Sequence, residues 1–176
     1  MNQLDNEARI MPVAEADLAS IARLARDIWY RHYPGIITVA QIEYMLDRRY
    51  RPQLIRDQLA SGAAWWDKLQ VGGRIIGFAA YEPGAKPASV KLDKLYVHQR
   101  YQGRGYGSML LRHVESIASS RGAATLYLQV NKNNSSSIAM YRRNGYSVSE
   151  EGKFDIGGGF VMDDYIMAKP LARDAA

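Results

Sequence analysis

One stretch constrains this chain more than any other. Val90–Val97 alternates like a β-strand, glycine follows at positions 103, 105 and 107, and an amphipathic helix opens at once. Glycine accepts positive φ and lets a ligand come close to the backbone. Successive N–H groups in such a turn point into one concavity, and the helix N-terminus behind them adds about half a positive charge. Arg100 and Arg104 stand beside it. Strand, turn and helix together predict a cradle for phosphate or pyrophosphate. Two nucleotide motifs are excluded by count. G-x-G-x-x-G fits Gly103 and Gly105 but then requires glycine where Ser108 stands, and G-x-x-x-x-G-K-[ST] from Gly103 fails at the same residue.

The rest of the chain fits one α/β (α+β) domain over residues 8–170, with residues 1–7 and 171–176 as frayed tails. The length of 176 residues suits one domain, and 47% hydrophobic with 23% charged residues excludes a disordered chain. There is no cysteine, so thiolate nucleophiles, disulfides and cysteine–zinc sites are impossible. His32, His98 and His113 lack metal-ligand spacing, so no metal is expected. A net charge of +5 favours an anionic ligand. No helix-turn-helix or aromatic–basic platform points to nucleic acid. No stretch approaches the roughly 20 apolar residues of a membrane span. Met1–Glu7 lacks a basic n-region and an apolar h-region, which predicts a cytoplasmic chain.

Periodicity predicts the order of elements. Arg9–Val13 is a first strand. Asp17 caps a helix with Leu18, Ile21, Ala25, Ile28 and Trp29 on one face, ended by Pro34-Gly35. Thr38 caps a second helix, and Pro52–Leu59 is a third, stopped by Gly62. The basic run Arg48, Arg49, Arg51 and Arg56 in this region reads as a solvated helix face. Ala63–Val71 and Ile75–Tyr81 flank Gly72-Gly73 as a hairpin. In the strand Val90–Val97, Leu92, Lys94 and Tyr96 alternate against Asp93, Leu95 and Val97. Beyond the glycine turn come a helix ended by Gly122, a strand Thr125–Val130 and a helix Ser135–Arg143. Two last strands, Tyr146–Val148 and Phe160–Ala168, are joined by a flexible turn at Gly157–Gly159.

Several of these pieces resemble one family. Gln102-x-x-Gly105-x-Gly107 resembles the pyrophosphate motif [RQ]-x-x-G-x-[GA] of the GNAT N-acetyltransferase superfamily, and Lys94–Val97 resembles its fourth strand. Asn131-x-x-Asn134-x-x-x-Ile138-Ala139-x-Tyr141-Arg142-x-x-Gly145-Tyr146 resembles its second signature, with Tyr146 where phenylalanine is usual. Asp164–Met167 resembles its closing strand, and Phe160–Lys169 with the long N-terminal helical region resembles the PaiA-type polyamine acetyltransferases. The resemblance implies a mixed, largely antiparallel sheet of six to seven strands flanked by four to five helices. It also implies transfer of acetyl from acetyl-CoA, as co-substrate, directly to a primary amine of a polyamine-like small molecule or a peptide. Alternatives within the resemblance are a protein N-terminal or lysine acetyltransferase and a non-catalytic acyl-CoA sensor; a homodimer is common in the family.

The resemblance also assigns residues. Leu95, Tyr96 and Val97 would pair with the pantetheine arm, the amide of Tyr96 or of Val97 polarising the thioester. Gln102, Gly103, Arg104, Gly105, Gly107 and Ser108 would hold the pyrophosphate. Tyr141 would protonate the leaving thiolate, and Asn134 would contact the cofactor while capping its own helix. The amine needs a base: Asp93 and Glu82 are the candidates, with His98 behind them. Trp29, Tyr30, Tyr33, Tyr44 and Tyr165 are candidate acceptor walls, because aromatic faces attract ammonium groups.

Overall fold

The computed structural model describes residues 7–172. In chain order it contains β1 (Arg9–Pro12), α1 (Leu18–His32), α2 (Val39–Arg49), α3 (Pro52–Ser61), β2 (Trp65–Val71), β3 (Arg74–Pro83) and β4 (Ser89–Val97). Then follow α4 (Tyr106–Ser120), β5 (Thr125–Asn131), α5 (Ser135–Arg143), β6 (Ser147–Gly157) and β7 (Phe160–Pro170). Local chemistry accounts for most boundaries. The Thr38 hydroxyl accepts from the Gln41 amide at 3.2 Å, Pro52 opens α3, and Gly62 closes it at φ +68°. Asp17 departs from expectation. It makes no cap bond to α1, and instead its carboxylate accepts from the Ala14 amide at 2.7 Å and pairs with Lys68.

The sheet runs β1-β2-β3-β4-β5-β7-β6. Every neighbour pair is antiparallel except β4–β5. One core packs α1–α3 on one face around Trp29, Ile42, Ile55, Trp66 and Phe78. The other packs α4 and α5 on the opposite face around Leu110, Leu111, Val114, Leu126 and Met167. Each such buried side chain contributes about 1.5–3 kcal/mol of transfer free energy.

Two irregularities position the site. The parallel pairing joins only Ser89–Leu92 to Thr125–Leu128, and beyond that β4 and β5 part. At the same point β3 sets Tyr81 opposite Leu92 and Ala80 opposite Lys94, so Asp93 is a bulge with no opposite residue. The extra residue resets the alternation. Leu92, Leu95 and Val97 face the α4–α5 core, whereas Lys94 and Tyr96 face the α1–α3 side. The expected face shared by Leu92, Lys94 and Tyr96 does not form.

The last hairpin is longer than expected. β6 extends to Gly157 as a charged, exposed edge strand, bulged twice against β7. It shows no apolar alternation, which is why only its start is legible. The Gly157–Gly159 turn is pinned, not loose: the Tyr44 hydroxyl donates to the Ile156 carbonyl at 2.8 Å, and a Cβ on Gly158 would stand 2.7 Å from the Tyr44 ring. Leu171 and Ala172, expected in a frayed tail, are held. The Leu171 amide donates to the Ala124 carbonyl and the Ser119 hydroxyl donates to the Ala172 carbonyl, both at 2.9 Å. Residues 1–6 and 173–176 of the expected tails lie outside the described residues.

Candidate active site

The gap between β4 and β5 is where backbone groups come free. The His98 amide donates to the Ile76 carbonyl at 2.8 Å, which sets the phase of the β3–β4 ladder. Hydrogen-bonded pairs alternate in an antiparallel ladder, so the Tyr96 amide faces β3 and the Leu95 and Val97 amides face the gap. The Val97 carbonyl also points away from β3 and accepts from Gln102 Nε2 at 2.9 Å. Of the two amides expected to polarise a thioester, that of Val97 faces the gap and that of Tyr96 does not.

At the end of β4 the chain makes a short 3₁₀ turn, Gln99–Tyr101, and enters α4 through Gly105 at φ +84°. A β-branched residue there would be strained. The first bond within α4 runs from the Met109 amide to the Gly105 carbonyl, so the amides of Tyr106, Gly107 and Ser108 have no partner in the helix. A Cβ built on Gly103, Gly105 or Gly107 would meet nothing within 4 Å. Packing therefore does not demand glycine at 107, whereas a ligand lying on the backbone would. A cleft of about 460 Å³ follows this turn, lined by Val97, Gln102, Gly103, Gly105, Gly107 and Ser108, with His32 and α5 across it. Arg104 does not line the cleft; its guanidinium stands 5.7 Å from the Tyr101 ring centroid. Arg143 of α5 lines it instead. The donor set of free amides, helix N-terminus and arginine fits a pyrophosphate.

On the α1–α3 face a second cavity of about 280 Å³ opens, and it shares Leu95 and Ser137 with the cleft. Trp29, Tyr33, Asp93, Tyr96, Asn134 and Tyr141, all expected at the site, line it. The indole of Trp29 donates to the Tyr50 hydroxyl at 3.1 Å, and the Tyr33 and Tyr96 hydroxyls lie 3.1 Å apart. Asn134 Oδ1 accepts from the Ser137 amide at 3.4 Å and lies 3.1 Å from His32 Nε2, so the expected cap forms and also ties α5 to α1. Tyr141 is buried, and its hydroxyl has no hydrogen-bond partner among the described residues. Burial pushes the phenol further up, so it is neutral and holds a proton to give.

Five further residues depart from expectation. Asp93 lies in the cavity but is not free. Burial raises its carboxyl, yet Lys94 and Arg49 in direct contact, with Lys91 at 3.7 Å, hold it well below the ordinary carboxylate range. A carboxylate so satisfied by cations has little tendency to accept a proton. Glu82 pairs with Lys91 at 3.5 Å near the end of β3 and does not line the cavity. Tyr165 sits on the α4–α5 face, under Lys132 at 5.5 Å, because alternation along β7 turns it away from Met162 and Asp164. Tyr30 and Tyr44 bond Glu43 and the β6 backbone respectively and do not line the cavity.

Sequence reasoning passed over Arg49, Lys91, Lys94 and Asp164, which do line it. Within the basic run, Arg51 and Arg56 pair on the surface with Asp47 and Glu15, while Arg49 turns inward to Asp93. The helical period of α2 offered that signal: Arg49 is four residues past Met45, on the buried face.

The profile of the Acetyltransferase (GNAT) family matches residues 20–146. The chain belongs to that family. It is an acetyl-CoA-dependent N-acetyltransferase. A spermidine N(1)-acetyltransferase of Thermoplasma acidophilum is 26% identical over 84% of this chain and 90% of its own length. A spermine/spermidine N(1)-acetyltransferase of Bacillus subtilis is 31% identical over 53% of this chain and 65% of its own. The PaiA N-acetyltransferase of Thermoplasma acidophilum, solved in complex with coenzyme A, superposes with a TM-score of 0.79 at 24% identity over 93% of this chain and 99% of its own. The mixed seven-stranded sheet and five helices of this GNAT chain are thus those of its family.

Proposed function

We propose that the acceptor is a primary amine of a polyamine-like small molecule, entering from the α1–α3 face to meet acetyl-CoA in the gap between β4 and β5. The observation that carries this reading is the gap itself. It joins a cleft lined by free amides to a cavity that holds Tyr141, with Leu95 and Ser137 common to both. When bound, acetyl-CoA supplies an acetyl group already activated as a thioester. The Leu95 and Val97 amides pair with the pantetheine arm as an added strand would, and one of them donates to the thioester oxygen. A preorganised donor of this kind is worth about 3–4 kcal/mol. Gln102, Gly103, Gly105, Gly107 and Ser108 hold the pyrophosphate. Tyr141 gives its proton to the departing sulfur. Trp29 and Tyr33 form an aromatic wall for the alkyl chain and its ammonium.

A spermidine acetyltransferase among the relatives supports the polyamine class. One observation favours a second reading, a peptide or amino-acid amine. Arg49 lines the cavity and uses one of its nitrogens on Asp93, and its other donors have no hydrogen-bond partner among the described residues, which leaves them for a carboxylate. Free-thiol release from acetyl-CoA separates the two readings. Turnover with spermidine, spermine or diamines and none with amino acids or peptides supports the first; the reverse selects the second. The absence of cysteine keeps the protein's own thiol background at zero. A homodimer and a cytoplasmic location belong to the same proposal, tested by sedimentation and cell fractionation. No helix among the described residues is long and apolar enough to cross a membrane.

A further inference from the structure

We propose that Asp164 of β7 receives the acceptor's ammonium and takes its proton, so that the amine reaches the thioester as a free base. The proposal rests on the acetyltransferase reading and supplies the proton acceptor that Asp93 and Glu82 fail to provide. Asp164 stands opposite Asn131 of β5 and Gly152 of β6. It is 5% exposed and lines the cavity with Trp29, Tyr33 and Tyr141. Its Oδ1 has no hydrogen-bond partner among the described residues. A buried carboxylate oxygen without a donor costs free energy. In a cleft, that cost is relieved when a ligand arrives with donors, and an ammonium brings three donors and a positive charge.

The two carboxylates of the cavity divide the work. Asp93 is saturated by Arg49, Lys91 and Lys94. Asp164 is not. Burial lifts its carboxyl first and the neighbouring Asp163 second, against Arg49 of α2 and Lys132 beyond β5, to about 6. Asp163 is itself paired with Lys132 at 2.8 Å. Tyr33 at the C-cap of α1, Tyr96 of β4 and Tyr141 of α5 face the same space as phenols that burial keeps neutral. Lys91 and Lys94 are tied to Asp93, and β6 lends only Phe154 and Ile156. At pH 7 Asp164 is therefore ionised, yet more basic than an ordinary carboxylate.

The step balances. An N–H bond of the ammonium breaks, its electron pair stays on nitrogen, and the proton goes to the Asp164 carboxylate, from which water later takes it. The freed pair forms the C–N bond as the C–S bond breaks. Tyr141 protonates the sulfur, and the second N–H proton restores the phenol.

The test is Asp164→Asn, assayed by thiol release from acetyl-CoA between pH 5 and 9 with the acceptor that the wild-type chain turns over. The wild type is expected to show an acid limb in kcat/KM with a midpoint near 6. The variant should lose about 100-fold in kcat/KM and lose that limb. Its KM for acetyl-CoA should not change, and its Tm at pH 8 should not fall. A variant within three-fold of wild type, or one that retains the limb, overturns the proposal. A loss that tracks a lowered Tm or weakened acetyl-CoA binding overturns it too, because a structural residue behaves that way. Wild-type silence with every amine would sink the acetyltransferase reading instead. Asp164 is then judged by carboxyl ¹³C NMR of the coenzyme-A-loaded protein: saturating putrescine should lower its titration midpoint by a full pH unit or more, and an unmoved midpoint overturns the assignment.

Discussion

The two halves of the cleft are built from different materials. The half that fits coenzyme A is made of backbone: the free edge of β4, the glycine turn and the first amides of α4. The half proposed for the acceptor is lined by side chains from α1, α2, β4, β5, α5, β6 and β7. Backbone donors are common to every sequence that adopts the turn, so this half suits a co-substrate that does not change. Side chains can be exchanged without disturbing the strand–turn–helix, so the other half is free to set the acceptor. Within it the contrast repeats on a smaller scale. Asp93 is a carboxylate used for structure, and Asp164 is one left open.

The sharpest way to break the first contrast is Gly105→Val. A valine at φ +84° strains the entry to α4 and puts a side chain into the open face of the turn, where the pyrophosphate is proposed to lie. Acetyl-CoA affinity should fall by more than about 1,000-fold, roughly 4 kcal/mol. Calorimetric titration with circular dichroism on the same sample checks this; normal affinity would mean the cradle is elsewhere.

Next is Asp93→Asn, which leaves Arg49, Lys91 and Lys94 facing one another in a buried site. Stability should drop by about 3 kcal/mol in urea at pH 7. Asp93 sits below its unfolded value, so its contribution is full at neutral pH and is lost only as pH falls beneath the ordinary carboxylate range. The deficit should accordingly shrink in strong acid. A variant as stable as wild type would show that Asp93 is no keystone.

Tyr141→Phe is expected to lower kcat by about 100-fold while acetyl-CoA affinity stays within two-fold. Equal kcat would remove the phenol from the chemistry.

The smallest effect concerns stability at Asp164. Burial lifts its folded value above the unfolded one, so its contribution is present in acid and is lost as pH rises through about 6. Asp164→Asn should therefore be more stable than wild type at pH 8, by about 1 kcal/mol, with a gain that shrinks as pH falls and vanishes only below the ordinary carboxylate value near 3.8. Urea unfolding at pH 8 and pH 3.5 checks the sign. A variant less stable at pH 8 would mean that Asp164 is a structural partner like Asp93.

The two halves also differ in how far the sequence discloses them. Gln102, Gly103, Gly105, Gly107 and Ser108 are neighbours in the chain, and every one lines the predicted cleft. Tyr141 and Asn134 were reachable through a motif that spans one strand, one turn and one helix. The place of Asp93 in the cavity is legible in the chain, but its pairing is not, because its three cations come from α2 and from its own strand. The sequence does not tell Tyr165 from Asp164 beside it, since the face of β7 that points into the cavity follows from its register with β5 and β6. Only the start of β6 is legible, because an exposed, charged edge strand carries no apolar period.

The order of the elements, most of their caps, the glycine turn and the family of the chain are legible in the linear order of residues. All of these depend on φ/ψ preferences and hydrogen bonds within a few residues. Three-dimensional packing sets where β4 leaves β5, that a bulge at Asp93 turns Lys94 and Tyr96 to the α1–α3 side, and which carboxylate is neutralised and which is open. Those outcomes depend on strand register and on charges brought together across more than a hundred residues of chain. Coulomb interaction and desolvation act through space, so a residue's charge state is settled by neighbours that the linear order does not name.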